Sequence, residues 1–206
     1  MDELLTRWIA LVCASPGAEA AGRDLLARWS QPHRHYHAVA HLRAVLDAID
    51  ELITEAHDAD NVRLAAWFHD AVYDGRPGDD ERASADLARD VLGRLGLAPA
   101  RVEEIARLVL LTADHDPAPG DPSGAVLCDA DLAVLGGSPE DYAAYAAAVR
   151  SDYAHIDDAV FRTGRVAVLE ALLAADPLFR TQVGRARWEA TARRNLSTEL
   201  ALLELQ

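Results

Sequence analysis

The stretch "RVEEIARLVLLTA", residues 101–113, decides the fold class. Its apolar residues Val102, Ile105, Ala106 and Val109 fall three or four apart, which is the spacing of one buried helix face. "RAVLDAIDELI", residues 43–53, repeats the pattern. Elsewhere alanine, leucine, arginine and glutamate dominate, β-branched runs are few, and no segment alternates long enough to be a strand. Breaks fall at "SPG" near 15–17, "SQP" near 30–32, "DGRPGDD" at 74–80, "DPAPGDPSG" at 116–124 and Asp176-Pro177. "GGSPED" at 136–141 starts a helix, with Ser138 as cap, Pro139 in the first turn, and Glu140 and Asp141 suiting the dipole. The expectation is an all-α fold, one bundle-like domain over 1–206 of roughly eight to ten helices. Residues 1–30 read as an N-terminal helical addition, and 184–206 as a C-terminal helix.

The 206 residues suit one domain, and with 50% of them apolar there is enough material for a core. No apolar run reaches the roughly 20 residues of a membrane span. "MDELLTRWIALVCASPG" is acidic and lacks a basic leader region, so it reads as an amphipathic helix and not a signal peptide. Cys13 and Cys128 form no motif, which favours a reduced, cytoplasmic setting. A formal charge of −14 argues against contact with a nucleic acid polymer. A small anionic substrate is still compatible, because a bound cation can invert the local field.

The chemistry lies in the histidines and buried-looking aspartates. "PHRHYHAVAHL" holds His33, His35, His37 and His41; "AAWFHDAVYD" holds His69 and Asp70; "LLTADHD" holds His115; "VLCDADLAVLG" holds Asp129 and Asp131. Imidazole and carboxylate together suit Mn, Fe, Co, Ni or Zn, and Mg is a further option. His37 and His41 share a helix face. His69 and Asp70 leave their helix ~100° apart and can both reach an ion lying between them. His33, His35 and His57 read as solvated. Trp67 and Trp188 read as core.

This ordered set resembles the H…HD…D signature of the HD superfamily of metal-dependent phosphohydrolases. "YHAVAHL", "WFHDAVYD", "ERASA", "LLTADHD", "DADLAVLG", "YAAYAAAVRSDY" and "ARRNLSTEL" extend the likeness to a subgroup of predicted phosphohydrolases, over roughly 35–200. The resemblance implies His41, His69, Asp70 and Asp131 as metal ligands, and an HD-type helical bundle. Two features depart from it. Two-metal members carry two further histidines between the HD pair and the last aspartate, where this chain has only His115. Some single-metal nucleotidases place a water-activating glutamate where this chain has Tyr73, followed by Asp74. The catalytic candidates are therefore Asp70, His115 and Asp74.

Around them, His37 is open between contacting a ligand, facing substrate and simply starting a helix. Asp129 is open between holding a histidine and capping a helix. Arg150 and Tyr153 are candidates for substrate binding, Arg150 as a phosphate clamp. The expected activity is hydrolysis of a small phosphorylated substrate, a nucleotide among the options. The alternative is a non-catalytic protein of the same fold that binds metal or nucleotide and regulates. A di-iron oxygenase ranks last, for want of histidines. Homo-oligomerisation is left open, and no membrane partner is expected.

Overall fold

A computed structural model describes residues 2–12 and 15–205, so Cys13 lies outside the described residues. The chain is helical throughout, with no strand among the described residues. Its centre is α4 (Ala59–Phe68), preceded in order by α1 (Asp2–Leu11), α2 (Ala18–Trp29) and α3 (Val39–Leu52). From Val62 to Phe68 every residue of α4 except Arg63 is buried, as befits a helix apolar on nearly all sides. It starts at Asp58, whose carboxylate accepts the Asn61 N–H at 3.0 Å. It packs against α1, α3, α5 (Asp79–Arg94), α6 (Pro99–Leu111) and α7 (Pro122–Asp131).

"RVEEIARLVLLTA" forms α6 and the turn after it, burying Val102, Ile105, Ala106, Leu108 and Val109 against α5 and α4. α3 lies on α7, so the segments carrying His41 and Asp131 are neighbours. α1 and α2 belong to the same core. Trp8 sits edge-on to Trp67 at 5.3 Å and to Phe68 at 5.9 Å, and its indole N–H donates to Ala18 O.

α8 (Pro139–Asp152) begins as expected, with Ser138 Oγ accepting the Asp141 N–H at 3.1 Å. α9 (Asp158–Ala174) packs on the last helix. That helix starts as α10 (Gln182–Gly184), widens into a π-helical turn over Arg185–Glu189, and continues as α11 (Ala190–Glu204). Buried Arg165 of α9 grips Glu199 of α11 through two nitrogens, at 2.8 and 2.9 Å, and donates to Tyr145 Oη of α8. Among the described residues, no helix is long and apolar enough to cross a membrane.

Candidate metal centre and its cleft

α4 ends at His69, where the buried apolar run gives out. The carbonyls of the turn that follows need partners, and buried Arg34 supplies them. The Arg34 guanidinium donates to Asp70 O at 2.5 Å, Ala71 O at 3.2 Å and His37 O at 3.1 Å. This one side chain therefore fixes both the HD turn and the chain leading into α3. The His69 ring is oriented too: Nδ1 donates to Ala66 O at 2.8 Å, which puts the proton on Nδ1 and the lone pair on Nε2.

Four donors meet there. His41 Nε2 lies 3.2 Å from His69 Nε2, 2.9 Å from Asp131 Oδ1 and 3.7 Å from Asp70 Oδ2. His69 Nε2 lies 3.3 Å from Asp70 Oδ2 and 3.4 Å from Asp131 Oδ1. The ligand atoms of His41, His69 and Asp131 are all within 4.8 Å of one another, so this buried group could hold a metal ion. Bonds of ~2.1 Å at tetrahedral or octahedral angles separate adjacent donors by roughly 3.0–3.4 Å, close to the spacing found.

The electrostatics fit a cation as well. Two imidazole lone pairs 3.2 Å apart beside two carboxylates need positive charge between them. In the metal-free protein a proton supplies it. Burial disfavours a charged His69, but Asp70 and Asp131 outweigh burial and hold its pKa well above the usual histidine value. Burial dominates at His41 and pushes its pKa down. Burial would raise Asp131 and Asp70, yet His69 and the surrounding hydrogen bonds hold both well below the usual carboxylate range. The C-terminal end of α4 adds partial negative charge.

Asp131 is set in place by His115, whose Nε2 lies 2.7 Å from Oδ2. His115 adopts a left-handed backbone at φ 53°, a strained choice for a non-glycine residue that brings its ring to this carboxylate. His115 thus positions Asp131, whatever else it does.

Above the donors opens a cleft of about 200 Å³, lined also by Tyr36, His37, Tyr73, Arg76, Thr112 and Tyr153. His37 stacks on Tyr73 at 4.1 Å, and its Nδ1 lies 2.7 Å from Asp152 Oδ2. Asp152 has no solvent-exposed side-chain surface, and it also accepts the backbone N–H groups of His35, Tyr36 and His37. The His37 proton is therefore on Nδ1 and Nε2 is the ring's acceptor. Arg76 is the one arginine lining the cleft, and its guanidinium makes no hydrogen bond or ion pair to another described residue.

Two sequence expectations, at Asp74 and Arg150, need correction, and Asp129, open between a histidine and a helix cap, shows its partners. Asp129 holds no histidine; it accepts from Arg180 N and Thr181 N, both at 2.8 Å, and from Thr181 Oγ1 at 2.6 Å. It is also more deeply buried than Asp131, because backbone donors, not a cation, satisfy it. Asp74 is exposed and outside the cleft; Asp80 takes its place, accepting the N–H groups of Asp74 and Arg76 and organising the loop. Arg150 does not line the cleft. Its guanidinium donates to Tyr153 O and Ile156 O and pairs with Asp158. Tyr153 does line the cleft. Sequence reading missed Arg34, Asp152 and Arg76. Arg34 was hidden among four histidines, and nothing local marks a carboxylate that binds 115 residues away. No family model, no curated protein and no solved structure matches this chain.

Proposed function

We propose that this chain is a metal-dependent phosphohydrolase acting on a small phosphorylated molecule, of the kind its H…HD…D order resembles. What carries the reading is the convergence of His41 Nε2, His69 Nε2, Asp70 Oδ2 and Asp131 Oδ1 at a cleft that His41, Asp70 and Asp131 line, with an uncommitted arginine at its side. His41, His69, Asp70 and Asp131 would hold the ion, which when bound supplies charge neutralisation and an acidified water. Arg76 binds a phosphate oxygen from the opposite wall. His37 is the base: Asp152 fixes its tautomer, so Nε2 takes a proton from the attacking water and returns it to the leaving oxygen. His115 keeps Asp131 aimed at the floor. Thr112, Tyr36 and Tyr153 complete the walls of the cleft.

The test is a hydrolysis screen over nucleotides and small phosphoesters with Mn, Co, Ni, Mg and Zn in turn. Turnover that chelator abolishes, and that His37→Gln lowers ~100-fold without loss of metal, is the expected result. One observation favours a second reading, a regulatory protein that binds without turnover: Tyr73 stands where a water-activating glutamate would be, and Asp74 is outside the cleft. Metal binding with no hydrolysis of any phosphoester would select it.

A further inference from the structure

We propose that a groove between α8 and α9 is the subsite for the organic part of the substrate, and that this part is apolar and aromatic. The choice of phosphate ester rests on the phosphohydrolase reading; the groove's preference does not.

The groove has a volume of about 410 Å³, within the range of small-molecule sites. It adjoins the metal cleft, with Tyr36, His37, Tyr145 and Tyr153 lining both. A substrate with its phosphate at Arg76 would therefore extend past these rings. The far walls are apolar: Val149 and Ile156 on one side, Phe161, Val160 and Val168 on the other. Val160 and Val168 are 63% and 49% exposed, so apolar surface is left uncovered beside the site. Phe161 is held by the Arg150 guanidinium, 4.7 Å from its ring centroid. Among the described residues the one arginine lining the groove, Arg165, is consumed by Glu199 and Tyr145. The groove thus offers flat rings and branched aliphatics, and no free charge for a second phosphate or a carboxylate.

Gly164 supplies an independent sign. It lies within α9, where glycine is less stable than alanine. It lines the groove, and a Cβ built there meets no described atom within 4 Å beyond its own helix backbone and chain neighbours. No packing contact within the protein demands a glycine. Its missing side chain leaves room in the groove.

Binding of 2-naphthyl phosphate and of glycerol 3-phosphate to the full chain, measured by calorimetry with chelator present to prevent turnover, tests the proposal. The naphthyl ester is expected to bind at least tenfold tighter. Gly164→Leu, which fills the groove, and Val160→Asp, which charges its rim, should each erase that advantage while leaving glycerol 3-phosphate binding unchanged. Both positions are exposed and helical, and melting temperature verifies that the variants fold. Equal binding of the two esters, or an advantage that survives Gly164→Leu, overturns the proposal. Hydrolysis on adding metal is scored separately: if the naphthyl ester binds through the groove while neither it nor any ester of the screen is cleaved, the phosphohydrolase reading fails and the subsite stands.

Discussion

Asp129 and Asp131 are two residues apart on α7 and serve different ends. Asp129 gives its two oxygens to Arg180 N, Thr181 N and Thr181 Oγ1, pinning the chain that enters the last helix. Asp131 divides its oxygens between His115 and the histidine pair. Asp131→Asn should therefore lose the metal in a metal-content assay, with little loss of fold. Asp129→Asn should keep it, but destabilise by about 1–3 kcal/mol, since an amide presents one acceptor where two were used. Retention of metal by both variants would remove α7 from the centre. The resemblance chooses Asp131 as the ligand, and its place deeper in the apolar run "LAVL" agrees only weakly, since in the structure Asp129 is the less exposed of the two. Burial alone does not distinguish a carboxylate that needs a cation from one surrounded by backbone N–H groups.

At the scale of elements, the approach to α3 is tied to the end of α8 by Asp152. Burial pushes its carboxyl pKa up, but the His37 ring and the backbone N–H groups of His35 and His37 win, leaving it at about 2 against an ordinary 3.8. A depressed carboxylate contributes stability that is present above its unfolded value and lost as pH falls through its folded one. The wild type should thus lose more melting temperature between about pH 4 and pH 2 than Asp152→Asn, which has already lost the ion pair. Parallel acid limbs would show that this tie contributes nothing. α1 and α2 are joined as closely. A Cβ on Gly22 would meet Trp8 Cδ1 at 2.5 Å, and Trp8 is fixed by its bond to Ala18 O and by Trp67. Gly22→Ala is expected to cost about 1–3 kcal/mol in denaturant unfolding. The helices were legible in the sequence because periodicity and caps are local: Ser138, Pro139 and the 101–113 face all read directly. The ties between them were not. His37–Asp152 and Trp8–Trp67 join residues far apart in sequence, and neither side chain announces its partner.

For the molecule as a whole, an ion held by this group would couple folding to both metal and pH. Its donors come from α3, the end of α4 and α7, three elements of one core, so they are together only in the folded chain. An ion that binds only that state stabilises it by ~2.7 kcal/mol at a hundredfold excess over its dissociation constant. For a chain of this size that raises the melting temperature by roughly 5–10 °C. Identical melting with chelator and with Mn, Ni or Zn would argue against a preformed site. The pH dependence has a definite sign. Without metal, Asp70 and Asp131 hold a proton on His69 to well above the usual histidine range. A metal ion needs the Nε2 lone pair, because Nδ1 is committed to Ala66 O, so binding must expel that proton. Affinity should therefore keep rising above pH 7, by about tenfold per pH unit for one proton released, until His69 deprotonates by itself. An ordinary exposed histidine site would level off near its pKa of ~6.5. Calorimetric titration of Mn²⁺ in buffers of different ionisation enthalpy counts the released proton directly. A count near one at pH 7.5, falling toward zero in His69→Gln along with the affinity, is the expected result. A count of zero in the wild type would mean that the ion sits elsewhere, or that His69 is neutral before the metal arrives.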